Sequence, residues 1–164
     1  MRCRQGGAAE HYRHYFAFGS NMNPQRVRDR GLSIEAIESG RLHGFELLFN
    51  KQARALQGIG RANIRPRHGS LVEGVLYRLV DDLEIDKMDR FEGTPRQYSR
   101  EFVPVETRRG VCWAWTYVGN PAVVVSGLQP NRAYLDHLIA GAEFLSASYL
   151  ERLARWPTRE SVEK

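Results

Sequence analysis

Long hydrophobic runs are absent from this sequence of 164 residues. A membrane-spanning helix needs about 18 or more consecutive apolar residues. The longest uncharged stretch, residues 111–129, is interrupted by glycine, asparagine and proline. The first 13 residues also lack the apolar central segment of a secretory signal. We therefore expect a soluble, cytoplasmic protein with no membrane partner.

Cysteine is scarce: Cys3 lies in the polar N-terminal segment and Cys112 in an apparent strand. Two such residues give no disulfide framework and are too few for a structural zinc site. The histidines have no metal-ligand spacing. The usual motifs for nucleophilic serines, phosphates, dinucleotides and catalytic zinc do not occur. We therefore expect neither a metal nor a cofactor.

Basic residues outnumber acidic ones, which gives a formal net charge of +5 and a pI near 9.5. Nearly all of them are arginines with acidic neighbours, and their one local concentration comprises Arg54, Arg61, Arg65 and Arg67. Nucleic-acid-binding domains usually present a basic stripe or interleaved aromatic residues, which this sequence lacks. We expect a solvated arginine-rich surface and no nucleic-acid partner, with binding through residues 54–67 as the alternative.

The hydrophobic pattern predicts one strand-rich domain over residues 14–164, after a flexible leader over residues 1–13. Helices are predicted after Asn23, after Asp81, after Pro130 and behind a cap at Ser148. The predicted strands cover residues 14–18, 33–50 (two strands, or one strand bent at Gly40), 60–65, 71–79, 98–106 and 111–118. These elements indicate a mixed sheet or barrel flanked by helices.

Two of these elements have the clearest local signals. Asp81 and Glu84 form a capping-box pattern at the start of a helix over residues 82–92, and Gly93 ends it. Residues 98–106 and 111–118 form a predicted hairpin. Because both faces of its second strand are apolar, we expect that strand to be central and buried.

The helix over residues 82–92 carries an acidic residue on its apolar face. Ile85, Met88 and Glu92 follow the i, i+3, i+7 spacing, so all three lie on the inward stripe. Burial and the negative end of the helix both raise the pKa of a carboxyl group. A proton carrier working near neutral pH needs such a pKa. Glu92 is therefore a candidate acid/base, and the alternative is a solvated residue at a frayed helix end.

Gly19, Ser20 and Asn21 separate the first strand from the first helix. A glycine followed by small polar residues allows a sharp turn with several backbone N–H groups facing outward at the positive helix end. Such a loop can hold a carboxylate or a developing oxyanion. The same tripeptide also occurs in ordinary turns.

The run from Tyr15 to Met22, which contains Phe18-Gly19-Ser20-Asn21, resembles the Y-G-S-N signature of the γ-glutamylcyclotransferase superfamily and its AIG2-like members. Residues 40–45 and 72–77 resemble two of the family's strands. Residues 89–93 resemble the D-x-x-E-G segment that carries the family's catalytic glutamate, and Tyr98 follows in the place of a pocket tyrosine. The similarity extends over residues 15–156.

This resemblance implies an α+β fold: a mixed, largely antiparallel β-barrel flanked by helices. It also implies an intramolecular reaction, in which the α-amine of a γ-glutamyl group attacks its own side-chain carbonyl. The products are 5-oxoproline and an amine or amino acid. Glu92 would be the catalytic residue, and the substrate would be bound by Phe18, Gly19, Ser20, Asn21 and Tyr98. The implied partner is a small γ-glutamyl substrate, and a homodimer is left open.

Two departures from the family pattern bear on the substrate. Phe18 replaces the usual tyrosine, so it supplies packing and no hydroxyl. Met22 follows Asn21 here, in place of the G-S-L pattern typical of glutathione-specific relatives, and this argues against glutathione. The leaving group stays open. The alternatives are an enzyme that releases a larger γ-glutamyl-tagged molecule, and a non-catalytic binding module whose Glu92 would face solvent far from the loop.

Overall fold

The computed structural model of the chain describes residue 10 and residues 12–160. The strands in this part of the chain are β1 (His14–Ala17), β2 (Ile34–Gln52), β3 (Gly60–Leu79), β4 (Tyr98–Thr107) and β5 (Gly110–Gly119). The α-helices in the same part are α1 (Pro24–Asp29), α2 (Glu84–Glu92), α3 (Arg132–Ile139) and α4 (Ala147–Ala154). These elements place the helices outside a sheet that closes on itself.

The five strands form a closed barrel in the order β1-β3-β2-β4-β5. Neighbouring strands are antiparallel, except that β5 runs parallel to β1, where Trp115 is the partner of Tyr15. The predicted α+β fold, a mixed and largely antiparallel barrel flanked by helices, is confirmed.

The β2–β3 hairpin is longer and more continuous than predicted. The prediction of separate strands over residues 60–65 and 71–79 is wrong, because β3 continues through Pro66, which pairs with Phe45 of β2. Residues 65–69 are exposed, and an extended ribbon at the surface tolerates proline because its φ suits a strand and water replaces its missing donor. Strand β2 is a single bent strand, with its central register shift at Gly44 (φ 80°) and not at Gly40.

Two glycines make room for an aromatic ring inside the barrel. Gly40 and Gly74 are partners across β2 and β3, and the ring of the fully buried Phe16 lies against both. A Cβ atom added to Gly74 would lie 2.8 Å from two carbons of that ring and closer still to the carbonyl oxygen of Ala17. The packing between β1 and its neighbours therefore depends on the absence of a side chain at these positions.

Strand β5 occupies the central position that its sequence indicates, between β4 and β1. Its outer face is less buried than predicted, because Val111 and Trp113 are exposed. Trp113 stacks on Phe102 of β4, with ring centroids 5.6 Å apart. Trp113 and Phe102 thus cover one another in part, whereas Tyr117 at the other end of this face donates its hydroxyl to Asp89 of α2.

The helix starts agree only in part with the sequence patterns. Asp81 accepts a hydrogen bond from the Glu84 amide, but the Glu84 side chain accepts from the Ser33 amide and does not return to Asp81. The capping box is therefore half formed. The cap predicted at Ser148 is wrong: Ser146 caps α4, because its hydroxyl accepts from the amide of Tyr149.

The N-terminal segment contacts the barrel where it is described. Arg13 donates to the carbonyl oxygen of Leu79, and the ring of Tyr12 stacks on Trp115. Most of the predicted leader, with Cys3, lies outside the described residues, so the leader and the domain limits stay predictions. Among the described helices, none is both long and apolar enough to cross a membrane.

Replacing Gly74 by alanine is expected to destabilise the protein, because the new methyl group would overlap the Phe16 ring and the Ala17 carbonyl. Overpacking of this kind costs about 1–3 kcal/mol in free energy of unfolding. Urea denaturation followed by tryptophan fluorescence measures the change. Ser39→Ala, at an exposed neighbouring position on β2, is the control. Equal stability of Gly74→Ala and the wild type would contradict the packing described here.

Candidate active site

A pocket opens where the loop after β1 meets the end of α2. Its volume is about 320 Å³ including its open mouth. All six residues predicted for the site line it, together with other residues of β1, β3, β5 and α3: Phe18, Gly19, Ser20, Asn21, Glu92 and Tyr98, with Tyr15, Phe16, Ala17, Ala62, Thr116, Tyr117 and Tyr134. The loop and the acidic helix end are therefore on the same side of the molecule.

The loop is a tightly packed 3₁₀ turn over Ser20–Met22, preceded by Gly19. A Cβ atom at Gly19 would lie 3.0 Å from Cβ of Ala62 and 3.1 Å from the hydroxyl of Tyr134. The carbonyl oxygen of Asn21 accepts a 2.6 Å hydrogen bond from the Tyr77 hydroxyl. The turn is thus fixed against β3 and α3, and the first amides of such a turn have no acceptor within it.

Glu92 is the last residue of α2, and its side chain turns inward. Ile85 and Met88 of the same stripe are buried, and the Glu92 side chain is only 15% exposed. Gly93 ends the helix in the left-handed conformation, as predicted, with φ 65°. The spacing of apolar residues along α2 therefore predicted the direction of this carboxylate correctly.

Two side chains contact the Glu92 carboxylate directly. Asn21 Nδ2 donates to Glu92 Oε1 at 2.9 Å, and Arg30 Nη1 lies 3.4 Å from the same oxygen. Burial raises the pKa of Glu92 above its usual value, and Arg30 and Asn21 oppose part of that increase by favouring the ionised form. The net result is a raised pKa, as a carboxyl group that exchanges protons near neutral pH requires.

The Asn21 carboxamide contacts Glu92, Tyr15 and Arg30. Its nitrogen also lies 2.8 Å from the Tyr15 hydroxyl, and its oxygen accepts from Arg30 at 3.0 Å. The sequence indicated Asn21 only through its backbone N–H. Its side chain is buried and holds the carboxylate in position.

Two tyrosines of the pocket wall form hydrogen bonds with the backbone of Ala62 in β3. Tyr98 donates its hydroxyl to the carbonyl oxygen of Ala62 at 2.9 Å, and the Tyr134 hydroxyl accepts from the Ala62 amide at 3.0 Å. Burial raises the pKa of both hydroxyls, so they stay neutral. Phe18 is also buried and adds an apolar surface. The wall is consequently rigid and only weakly polar.

No group of three or more histidine, cysteine, aspartate or glutamate side chains that could hold a metal ion occurs within residue 10 and residues 12–160.

The model of the family described as "Gamma-glutamyl cyclotransferase, AIG2-like" matches residues 15–139. The chain belongs to this family. Comparison with curated protein sequences finds no match.

Solved structures share the fold of this gamma-glutamyl cyclotransferase family member. An uncharacterised human protein is 24% identical, with a TM-score of 0.77 over 92% of this chain and 91% of its own. A gamma-glutamyl cyclotransferase is also 24% identical, with a TM-score of 0.78 and the same coverage. YkqA from Bacillus subtilis, at 24% identity, has a TM-score of 0.75 over 89% of this chain and 55% of its own.

Sequence reasoning missed several side chains in this gamma-glutamyl cyclotransferase family member. The nearest to the carboxylate is Arg30, at the C-terminal end of α1. A usable signal was present, because a buried carboxylate is rarely without a nearby cation, and Arg30 lies one short helix beyond the loop. Tyr15 and Tyr134 gave no comparable signal, since buried tyrosines are common in any core.

The opposing effect of Arg30 on Glu92 can be tested by titration. We expect Arg30→Met to raise the pKa of Glu92 further, because the nearest positive charge is removed. Arg30→Lys retains the charge and should stay near the wild type. Carboxyl ¹³C NMR of Glu92 across a pH series measures the midpoint. A midpoint that is unchanged in Arg30→Met would contradict the contact.

The raised pKa of Glu92 also predicts a pH-dependent stability. Below the ordinary pKa of a glutamate, the folded and unfolded states both hold the proton and no penalty arises. Between that ordinary pKa and the raised folded-state pKa, the unfolded state binds fewer protons than the folded state, so the folded state loses relative stability as the pH rises. Glu92→Gln removes this titration and should flatten the loss. Thermal unfolding of both proteins between pH 4 and pH 8, with Glu143→Gln as an exposed control, measures the difference. Parallel curves for wild type and Glu92→Gln would contradict the assignment.

Proposed function

We propose that the protein is a γ-glutamylcyclotransferase, which converts a γ-glutamyl amine or γ-glutamyl amino acid into 5-oxoproline and a free amine. The observation that carries this proposal is the inward Glu92 carboxylate with a raised pKa, 2.9 Å from the Asn21 side chain in the pocket formed by the loop. Membership of the family supports the same reaction.

The proposed reaction is an intramolecular aminolysis. Ionised Glu92 takes a proton from the α-ammonium group, and the resulting amine attacks the γ-carbonyl carbon of the same molecule. The tetrahedral intermediate then collapses, and the bond between the carbonyl carbon and the leaving nitrogen breaks. Overall, the attacking nitrogen loses two protons and the leaving nitrogen gains two. The amine therefore departs as an ammonium ion, and Glu92 ends ionised.

This chemistry requires no nucleophile from the protein, because the attacking group belongs to the substrate. The enzyme has to fold the γ-glutamyl chain so that its amine meets its own carbonyl, and such positioning reaches effective molarities of about 10⁵–10⁸ M. The buried walls formed by Phe18 and Tyr98 suit that task. Amides of the turn over Gly19, Ser20 and Asn21 would hold substrate oxygens, including the developing oxyanion.

Asn21 and Arg30 would influence the protonation state of Glu92 in the working enzyme. Both favour the ionised form, so they keep part of the population able to accept a proton although burial disfavours the charge. The side-chain contacts also fix one carboxylate oxygen and leave the other for the substrate. We assign to both side chains a positioning role, whereas the backbone amide of Asn21 would contact the substrate.

The alternatives receive less support from the geometry. A binding module would be favoured by a Glu92 that faced solvent away from the loop, whereas its side chain is 15% exposed and touches Asn21. The pocket volume of about 320 Å³ includes the open mouth and the enclosed part is much smaller, which favours a small acyl group inside it. Arg65 and Arg67 both pair with Glu46, which reduces the positive charge of the region considered for nucleic acid. A homodimer and a cytoplasmic location stay predictions.

The decisive experiment is a panel of γ-glutamyl amino acids and amines, with 5-oxoproline measured by mass spectrometry. Wild-type protein should release 5-oxoproline, and Glu92→Gln should lose about 10²–10⁴-fold in kcat/KM, the usual contribution of general acid–base catalysis. Circular dichroism checks that the variant is folded, and Glu143→Gln is the matched control. Full activity in folded Glu92→Gln would refute the role of Glu92. Absence of 5-oxoproline with every member of the panel would refute the proposed cyclotransferase activity.

A further inference from the structure

A groove separate from the active-site pocket lies between the β2–β3 hairpin and α4. Its volume is about 970 Å³ including the space open to solvent, compared with about 320 Å³ for the pocket with its mouth. Residues of both hairpin strands form one side, and residues of α4 and the turn after it form the other. None of the residues that line the groove lines the pocket. The groove is therefore a second candidate site, of a size that small ligands occupy.

The walls of the groove are largely apolar. Leu153 of α4 is 2% exposed, and Trp156, just after the helix, is partly buried. Leu47 of β2 and Leu71 of β3 line the same groove and are also only partly buried. The Trp156 ring packs edge-on against Phe49, with ring centroids 4.8 Å apart, so this wall is held in place. An apolar ligand would cover hydrophobic surface that now contacts water.

Arg152 of α4 brings a positive charge to the groove without an acidic partner. Its guanidinium carbon lies 5.1 Å from the centre of the Tyr149 ring. No carboxylate within the described residues forms an ion pair with it, whereas Arg155 at the end of the same helix pairs with Glu151 at 2.7 Å. An aromatic face attracts a guanidinium group but does not use its N–H donors. Arg152 can therefore donate hydrogen bonds to a bound anion.

The hairpin adds a further excess of positive charge. Arg65 and Arg67 both pair with Glu46, at 2.5 Å and 2.6 Å, so one carboxylate stands against two guanidinium groups. Among the described residues that line the groove, Glu46 is the only acid. With Arg152 included, three arginines stand against one glutamate, which leaves this group a net charge of +2. The groove therefore attracts anions.

Charge and apolar surface together define the class of ligand. The net positive charge disfavours a cation, and a neutral hydrocarbon would leave the guanidinium of Arg152 unused. A nucleic acid would meet few positive charges and would gain little from the apolar walls. A molecule with one carboxylate on an apolar chain or ring matches both parts of the groove.

We propose that the groove is a binding site for a small amphipathic carboxylate. The carboxylate is held by Arg152 and Arg67, and the apolar part lies between the hairpin and α4. This site does not depend on the cyclotransferase reaction, because the groove and the active-site pocket share no lining residue.

Three probes separate the contribution of charge from that of the apolar chain: octanoate, octan-1-ol and acetate. Each is titrated into the ¹⁵N-labelled protein, and the amide chemical shifts report both the Kd and the place of binding. Octanoate should bind about 10-fold or more tightly than octanol, as expected for a charge-assisted hydrogen bond. It should bind about 100-fold or more tightly than acetate, because acetate lacks most of the apolar chain.

The shifts caused by octanoate should be concentrated in residues 46–47, 67–71 and 149–156. Equal Kd values for octanoate and octanol would overturn the proposal. Shifts centred on residues 19–21 and Glu92 would place the ligand in the pocket and would also overturn it.

Variants assign the charge preference to a residue. Arg152→Gln should raise the Kd of octanoate about 10-fold and leave that of octanol unchanged, because it removes the charge and keeps the apolar walls. Arg155→Gln is the matched control, since it removes an exposed arginine from the end of the same helix. It should retain the wild-type Kd. An unchanged octanoate Kd in folded Arg152→Gln would overturn the role of Arg152.

The active-site variant separates this proposal from the proposed function. Glu92→Gln should bind octanoate with the wild-type Kd although it loses the release of 5-oxoproline. Loss of octanoate binding in folded Glu92→Gln would overturn the groove site. Absence of 5-oxoproline from the wild-type protein, together with the expected octanoate binding, would refute the cyclotransferase and support the groove site.

Discussion

The contact between Glu92 and Asn21 is the interaction on which the site is built. Water reaches little of the Glu92 carboxylate, and its remaining interactions come from a carboxamide and a guanidinium. A carboxylate in such a place is unstable unless its partners are held firmly. The turn after β1 meets this need, because Tyr77 fixes the Asn21 backbone and Tyr15 contacts its side chain. The barrel thus supplies rigidity at a position where a charged group is poorly solvated.

Charge is distributed unevenly around this centre. Elsewhere on the molecule, several arginines are paired with acids, as Arg65 and Arg67 are with Glu46. Near the pocket, cations accumulate and acids do not. Such an imbalance costs stability in the empty protein, since like charges repel and burial disfavours each of them. Functional sites commonly retain unfavourable electrostatics of this kind, because the ligand relieves them.

Several features could be predicted from the sequence because they depend on local spacing. The inward direction of Glu92 follows from the apolar stripe of α2, and the stops and caps at Asn23 and Gly93 follow from residue type. Features set by distant contacts could not be predicted. Strand β3 continues through Pro66 because pairing with β2 outweighs the local turn signal. Ser146, and not Ser148, caps α4 because the Ser146 hydroxyl is also bound by Glu73 of β3 at 2.7 Å. Arg30 and Glu92 lie 62 residues apart in the chain, so no local spacing predicts their contact.

The positions of these residues along the chain limit when the site can form during synthesis. Tyr15 comes from β1, Asn21 from the turn, Arg30 from the end of α1 and Glu92 from α2, which follows the long β2–β3 hairpin in the chain. No contiguous fragment shorter than residues 15–92 contains all four. During synthesis, a chain that ends within the hairpin holds the loop but lacks the acid, so the four groups can meet only after β1, β2, β3 and α2 have all been made.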